Sequence, residues 1–187
     1  MILNLNELEH RWVASDTNKV WFTSDTHFYH NNIISYCNRP YKSVKEMNEA
    51  LINNWNSVVG KTDIVWHLGD IALGMKSCFQ EVVPKLNGTI FLVRGNHDRT
   101  SNSFCQDNGI SEVFRNPVIL NDRFILSHRP LFITMEDKLK KHNLVNLYGH
   151  MHDNPDYLTW DKYSACLCVE RHNYKPISFT EILNHFE

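Results

Sequence analysis

The chain has 187 residues, 42% of them hydrophobic and 21% charged, with 7 Gly and 6 Pro. That is room for one domain able to bury about 70% of its unfolded surface, and it excludes a disordered, collagenous or low-complexity chain. Lys and Arg number 19 against 21 Asp and Glu, a net charge of −2, so the broad cationic field behind strong nonspecific binding to nucleic acid or anionic lipid is missing.

The apolar start Met1-Ile2-Leu3 is broken by Asn4, Asn6 and Glu7. It forms no signal-peptide core, and no run approaches the ~18–20 apolar residues of a membrane span. The expectation is a cytoplasmic protein, a single domain over residues 1–187. Lys19 to Ser24 reads as the first buried strand. Ser43-Val-Lys-Glu46 is a capping box opening a helix whose Val44, Met47, Leu51, Trp55 and Val58 share one face. Ile64–Leu68 and Thr89–Val93 repeat the strand pattern. Between them Met75 to Leu86 predicts a helix ended by Asn87-Gly88. From Glu112 to Leu126 three short apolar runs are separated by Asn116-Pro117 and Asn121-Asp122, turn signals that predict consecutive antiparallel strands. Phe124–Leu126 and Leu144–Tyr148 read as core strands, Thr134 to His142 as a helix and Tyr163 to Val169 as a strand. Ser178-x-x-Glu181 caps a short final helix. The alternation predicts α/β class, a layered α/β/β/α sandwich with mixed sheets facing each other.

Five Cys at irregular spacing, Cys37, Cys78, Cys105, Cys166 and Cys168, fit neither a disulfide framework nor a CxxC zinc clamp and read as reduced thiols. The unusual count is 11 His. Five strands end, through Ser or Gly, in a metal-ligand residue type: Ser24-Asp25-x-His27, Gly69-Asp70, Gly95-Asn96-His97-Asp98, Ser127-His128 and Gly149-His150-x-His152. Any one of these has an ordinary explanation as a turn. Together they place a metal site at the carboxyl ends of the strands, where a small residue lets the backbone turn and distant ligands converge. A mixed Asp, Asn and His set suits borderline divalent ions such as Mn, Fe or Zn better than thiolate chemistry, and seven donors are too many for one ion.

This order of motifs, spanning residues 20 to 152, resembles the calcineurin-like metallophosphoesterase superfamily. Asp25-Thr-His-Phe-x-His-x-Asn-Ile33 is similar to a compact subgroup found in bacteria and their phages. The resemblance implies that Asp25, His27 and His152 hold one metal, that Asn96, His128 and His150 hold another, and that Asp70 bridges them. It further implies two divalent transition-metal ions, Mn first with Fe, Zn or Ni as alternatives, about 3.5–4 Å apart, able to activate a nucleophile and neutralise phosphoryl oxygens. His97 would stabilise or protonate the leaving oxygen, with Asp98 orienting its ring. Ser127 stands where many relatives have Gly. The stretch Gly69-Asp70-Ile-Ala-Leu-Gly74 lacks the further Asp and Arg of the Ser/Thr protein phosphatases, which turns expectation away from protein substrates.

Other residues carry two readings each. His30 either faces substrate or belongs to a helix start. His67 is either a hydrogen-bonded core residue or a support for a ligand. Arg39, Arg99, Arg129 and Arg171 are either substrate grips or solvated surface charges. Tyr29, Tyr36 and Tyr41 with Phe28 are either a base-stacking wall or core. Glu170 to Pro176 could close the cleft, and substrate choice would fall to loops at residues 28–42, 99–111 and 153–162. The expected activity is a phosphodiesterase on a small or nucleotide-like phosphoester. A phosphomonoesterase or nuclease of the same fold is the alternative, and a non-catalytic scaffold, similar to the retromer subunit with its degraded metal site, is the reading from another class.

Overall fold

The computed structural model describes residues 11–157 and 160–186, with the backbone alone at 132–135. The start Met1-Ile2-Leu3 and positions 158 and 159 of the third substrate loop lie outside the described residues. In chain order the elements are β1 (Arg11–Trp12), β2 (Val20–Thr23), α1 (Ile33–Tyr36), α2 (Val44–Asn56), β3 (Ile64–His67), α3 (Lys76–Val82), β4 (Thr89–Val93), α4 (Asn102–Asp107), β5 (Ile110–Phe114) and β6 (Val118–Leu120). They continue with β7 (Phe124–Ser127), α5 (Phe132–His142), β8 (Val145–Tyr148), β9 (Ser164–Cys166), β10 (Ile177–Ser178) and α6 (Phe179–Phe186).

Two five-stranded sheets result, in the orders β10-β2-β3-β4-β5 and β1-β6-β7-β8-β9. In the first, β2 to β5 run parallel with β10 antiparallel at the edge. In the second, only the β6–β7 pair is antiparallel. The period of two along each strand decides where side chains go. Phe22, Trp66, Val93, Val118, Leu120, Phe124, Leu126 and Leu147 point between the sheets into one buried cluster. The opposite faces take Val65, Ile90 and Leu92 under Met47, Leu51 and Trp55 of α2, and Ile119 and Ile125 under Leu139 of α5. The layered mixed α/β architecture is therefore as expected.

Local signals explain the borders. Ser43 Oγ accepts from Glu46 N at 3.2 Å, and Ser178 Oγ and Glu181 cap each other reciprocally. The helix expected over 75–86 stops at Val82 and tightens to a 3-10 turn over Val83–Lys85, since Pro84 has no N–H to continue the ladder. The strand expected over 163–169 covers Ser164–Cys166 only, because Val169–His172 is a 3-10 turn. The antiparallel expectation holds for β6 and β7 but fails for β5, which pairs parallel with β4 in the other sheet. No helix among the described residues is long and apolar enough to cross a membrane.

Candidate metal centre

The loops after β2 and β3 run side by side: Asp25 N donates to Gly69 O at 2.9 Å, His27 N to Asp70 O at 3.0 Å and Phe28 N to Ile71 O at 2.8 Å. Five of the seven expected donors, Asp25, His27, Asp70, His150 and His152, have φ between 47° and 69°. For residues bearing a Cβ this left-handed backbone costs on the order of 1–3 kcal/mol each, strain of the kind that collects at functional sites. Glycines supply the close approach, and a Cβ on Gly69 would strike Gly95 N and His128 Nδ1. A Cβ on Gly95 would strike Asp70 Oδ1, and one on Gly149 would strike Ser24 Oγ and Asp25 Oδ2.

All seven donors are brought together. Asp25, His27 and His152 form one group and Asp70, His128 and His150 another, with the ligand atoms of each group within 4.8 Å of one another. Asp25 is fully buried. Its Oδ2 accepts from Ser24 Oγ at 2.5 Å and His150 N at 2.7 Å. Its Oδ1 has no hydrogen-bond partner and lies 3.6 Å from both His27 Nε2 and His152 Nε2. His27 Nε2 is likewise buried and unpartnered.

Asp70 divides its oxygens in the same way. Oδ1 accepts from His97 N at 2.8 Å, while Oδ2 stands 3.6 Å from His27 Nε2 and 3.4 Å from His128 Nε2, between the two groups. His128 Nδ1 faces the carbonyl of Leu68 at 2.9 Å, and a carbonyl only accepts. In the neutral ring the proton is therefore on Nδ1, and the Nε2 lone pair faces Asn96 Oδ1, another acceptor, at 3.0 Å. Orphaned buried acceptors and lone pairs turned toward one another are what a cation would satisfy, so the donor set fits divalent metal.

The donors also shift one another's protonation. Burial works to raise the Asp25 carboxyl, but the imidazoles of His27, His128 and His152 outweigh it and hold it well below the usual range. Asp70 is raised, by burial first and then by the carboxylates of Asp25 and Asp98, against the pull of His128. Burial would keep His152 neutral, yet Cys37, Glu170 and Asp25 lift it to about 11. His150 falls to about 4, through burial and the nearby His128 and Arg129.

The structure corrects the role expected of Asp98. Its carboxylate accepts from Asp70 N at 2.7 Å, Gly95 N at 2.8 Å and Ile71 N at 3.1 Å, and no hydrogen bond joins it to the His97 ring among the described residues. It clamps two ligand loops together and positions Asp70. The His97 ring stands at the rim, 5.4 Å from that of His27, and lines a cleft of about 400 Å³ with Leu73, Met75, Lys76, Phe79 and Arg99. His30 also stands at the mouth, its ring 5.2 Å from that of His27.

Arg39, one of the candidate substrate grips, is buried instead. It donates to the carbonyls of Asp25 and Thr26 at 2.7 and 2.8 Å and to Glu170 Oε1 at 2.6 Å. Glu170 Oε1 also accepts a hydrogen bond from His152 Nδ1 at 3.0 Å. A single buried ion pair thus ties the first ligand loop to the last. Sequence reasoning missed it because the partners lie 131 residues apart. Arg171 pins the carbonyls of His152, Asn154 and Tyr157. His67 is a core residue, bonded to Thr26 Oγ1 at 3.0 Å. Phe28 is fully buried, Tyr29 lines a separate cleft with Glu81 and Lys85, and Tyr41 packs on Tyr174, which leaves Tyr36, 71% exposed and beside His30, as the aromatic of that group open at the mouth.

A fold of two facing mixed sheets, with Asp, Asn and His converging from their strand ends, defines a metal-site α/β sandwich. Residues 18–185 match the calcineurin-like phosphoesterase family model, and the chain belongs to that family, a metal-dependent one. An uncharacterized protein of Methanocaldococcus jannaschii is 37% identical over 177 residues, covering 90% of this chain and 92% of its own. The gene 66 protein of Mycobacterium phage D29 is 28% identical over 158 residues, covering 71% of this chain and 78% of its own. A crystal structure of a protein of unknown function from Aquifex aeolicus superposes with a TM-score of 0.68 at 28% identity, covering 89% of this chain and 98% of that one.

Proposed function

We propose that the protein is a dinuclear metal-dependent phosphodiesterase acting on a small or nucleotide-like phosphoester. The observation that carries this reading is Asp70 Oδ2, which is grouped with His128 and His150 yet stands as near His27 Nε2 of the other group, at 3.6 Å, as His128 Nε2, at 3.4 Å. Asp25, His27 and His152 would hold one ion, Asn96, His128 and His150 the other, and Asp70 both. Four imidazoles favour Mn, Fe, Zn or Ni over a hard oxygen-seeking ion, with Mn first. When bound, such ions supply Lewis-acid charge for the phosphoryl oxygens and a nucleophile at neutral pH.

The remaining work falls to the chain's own groups. His97, fixed through its backbone N–H to Asp70, is placed to give a proton to the oxygen that leaves into the 400 Å³ cleft. A second cleft, of about 290 Å³, opens on the other side of the 94–100 loop and is lined by Asn96 and His128. Two clefts suit the two substituents of a diester, whereas a monoester has one. The net charge of −2 supports a small substrate over long nucleic acid.

The test is to strip the protein with chelator, reload it with Mn, and assay bis(p-nitrophenyl) phosphate, p-nitrophenyl phosphate and cyclic nucleotides. Turnover that returns with metal and favours diesters is expected. Full metal loading with no hydrolysis of any of them would move the reading to a binding scaffold.

A further inference from the structure

The cleft beside Asn96 and His128 has a wall chemistry that hydrolysis of a simple diester does not use. Three guanidinium groups line it, from Arg94, Arg115 and Arg129, and no carboxylate does among the described residues. Arg94 is committed to its own loop, donating to Asn102 Oδ1 at 2.7 Å and to the carbonyls of Asp98 and Thr100. Arg115 and Arg129 are not committed. Both are exposed, and neither has a carboxylate within ion-pair distance or an acceptor for its guanidinium among the described residues. Of the other described arginines, Arg39 is held by Glu170, Arg11 by Asp122, Arg123 by the Phe186 carbonyl and Arg171 by three carbonyls, while Arg99, which lines the His97 cleft, is also exposed.

Position adds to composition. Arg129 directly follows the donor His128, and Arg115 directly follows β5, whose parallel partner β4 leads to the donor Asn96. A cavity of about 290 Å³ exceeds what one phosphoryl group held at the donors would fill. Two planar forks without partners, at a wall free of acid, match a dianionic tetrahedral group.

We propose that this cleft is a subsite for a second phosphate of the substrate, gripped by Arg115 and Arg129, so that the preferred substrate is a phosphodiester with a phosphomonoester on its non-leaving substituent. This rests on the phosphodiesterase reading above. The leaving group then departs on the His97 side, while the retained, doubly phosphorylated part stays on the Asn96 side.

The experiment compares thymidine 5′-(p-nitrophenyl phosphate) with the same compound carrying a 3′-phosphate. Both release nitrophenolate from the same phosphorus, so the ratio of their kcat/KM values reads the second phosphate alone. In Mn-loaded wild type the 3′-phosphorylated compound is expected to be favoured about 10- to 100-fold, the scale of one or two charge-assisted hydrogen bonds. Arg115→Gln with Arg129→Gln should bring the ratio to about one, as should high salt in the wild type. A ratio near one in wild type, or a preference that survives the double substitution, overturns the proposal. Equal loss on both compounds also overturns it, since the arginines would then be holding the reacting phosphate. Calorimetry of the Mn-loaded protein with thymidine 3′,5′-bisphosphate and thymidine 5′-monophosphate separates this from the activity. Tighter, arginine-dependent binding of the bisphosphate without any hydrolysis keeps the subsite and removes the phosphodiesterase reading. Hydrolysis without that preference does the reverse.

Discussion

Asp25, Asp70, His128 and His152 each turn one atom toward the other donors and another toward a supporting group, and in the proposed centre that support sets how well a ligand performs. His152 shows this most plainly: Nε2 faces Asp25 Oδ1 at 3.6 Å while Nδ1 donates to Glu170 Oε1 at 3.0 Å. Carboxylates behind a ligating imidazole fix its tautomer and raise its basicity, and losing one costs about 10- to 100-fold in metal affinity. Glu170→Gln keeps the shape of the side chain but removes the charge that faces Arg39. It should weaken the ion held with Asp25 and His27 by that factor, measured by chelator competition, and leave the Asn96 side tighter. Unchanged affinity at both positions would show that Glu170 serves only to neutralise Arg39. His97 makes the opposite case, being placed at the rim outside both donor groups. His97→Ala should retain both metals and lose about 10²–10⁴-fold in turnover on a diester with a poor alkoxide leaving group. The loss should be far smaller with nitrophenolate. Equal losses on both would assign His97 to the phosphoryl oxygens instead.

Strands explain how much of this was readable in the sequence. β2, β3, β4, β7 and β8 announce themselves by apolar runs, and the residues just after each converge at the centre; the motifs made nine candidates legible, and the family resemblance singled out the seven expected donors among them. What was not legible is non-local. That β5 joins β4 while β6 turns to the other sheet depends on pairing between strands, for which the turn Asn116-Pro117 carries no signal. The Arg39–Glu170 brace and the three backbone bonds of Asp98 belong to the same kind. His67 shows how a strand can also bury a titratable group. Thr26 Oγ1 donates to Ile71 O at 2.8 Å and so accepts from His67 Nε2, while His67 Nδ1 accepts from Gly69 N at 3.2 Å. Both nitrogens are committed to the neutral ring, and burial pushes its pKa down to about 4 from 6.5. Between those values the unfolded chain takes a proton that the folded ring refuses, so stability is full above pH 6.5 and is lost as pH falls toward 4. The slope from one such proton is about 1.4 kcal/mol per pH unit. In urea unfolding of chelator-treated protein, His67→Gln should show a slope shallower by that amount over this window. Parallel pH profiles for the two proteins would mean that His67 titrates alike in both states.

The centre draws its donors from both sheets. Asp25, His27, Asp70 and Asn96 come from the ends of β2, β3 and β4, and His128, His150 and His152 from the ends of β7 and β8 in the other sheet. Behind them the cluster built on Phe22, Trp66, Phe124, Leu126 and Leu147 joins the same sheets without polar help. The fold therefore has its own apolar joint and should survive without metal. What removal of metal exposes is the strain of five left-handed donors and the mutual repulsion of buried acceptors. A ligand that binds only the folded state adds about 2.7 kcal/mol at a free concentration 100-fold above its Kd, and for a chain of this length each kcal/mol moves Tm by roughly 2–4 °C. Reloading chelator-stripped protein with Mn should raise Tm by about 5–10 °C for one ion and about twice that for two, with elemental analysis reaching two ions per chain. Asp70→Asn, which removes the one carboxylate poised between both groups, should stay folded, bind neither ion tightly and show almost no rise. A full rise at a single ion per chain would leave the fold intact and end the two-metal scheme. A rise preserved in Asp70→Asn would show that each donor group holds its ion alone, with Asp70 no longer the joint between them.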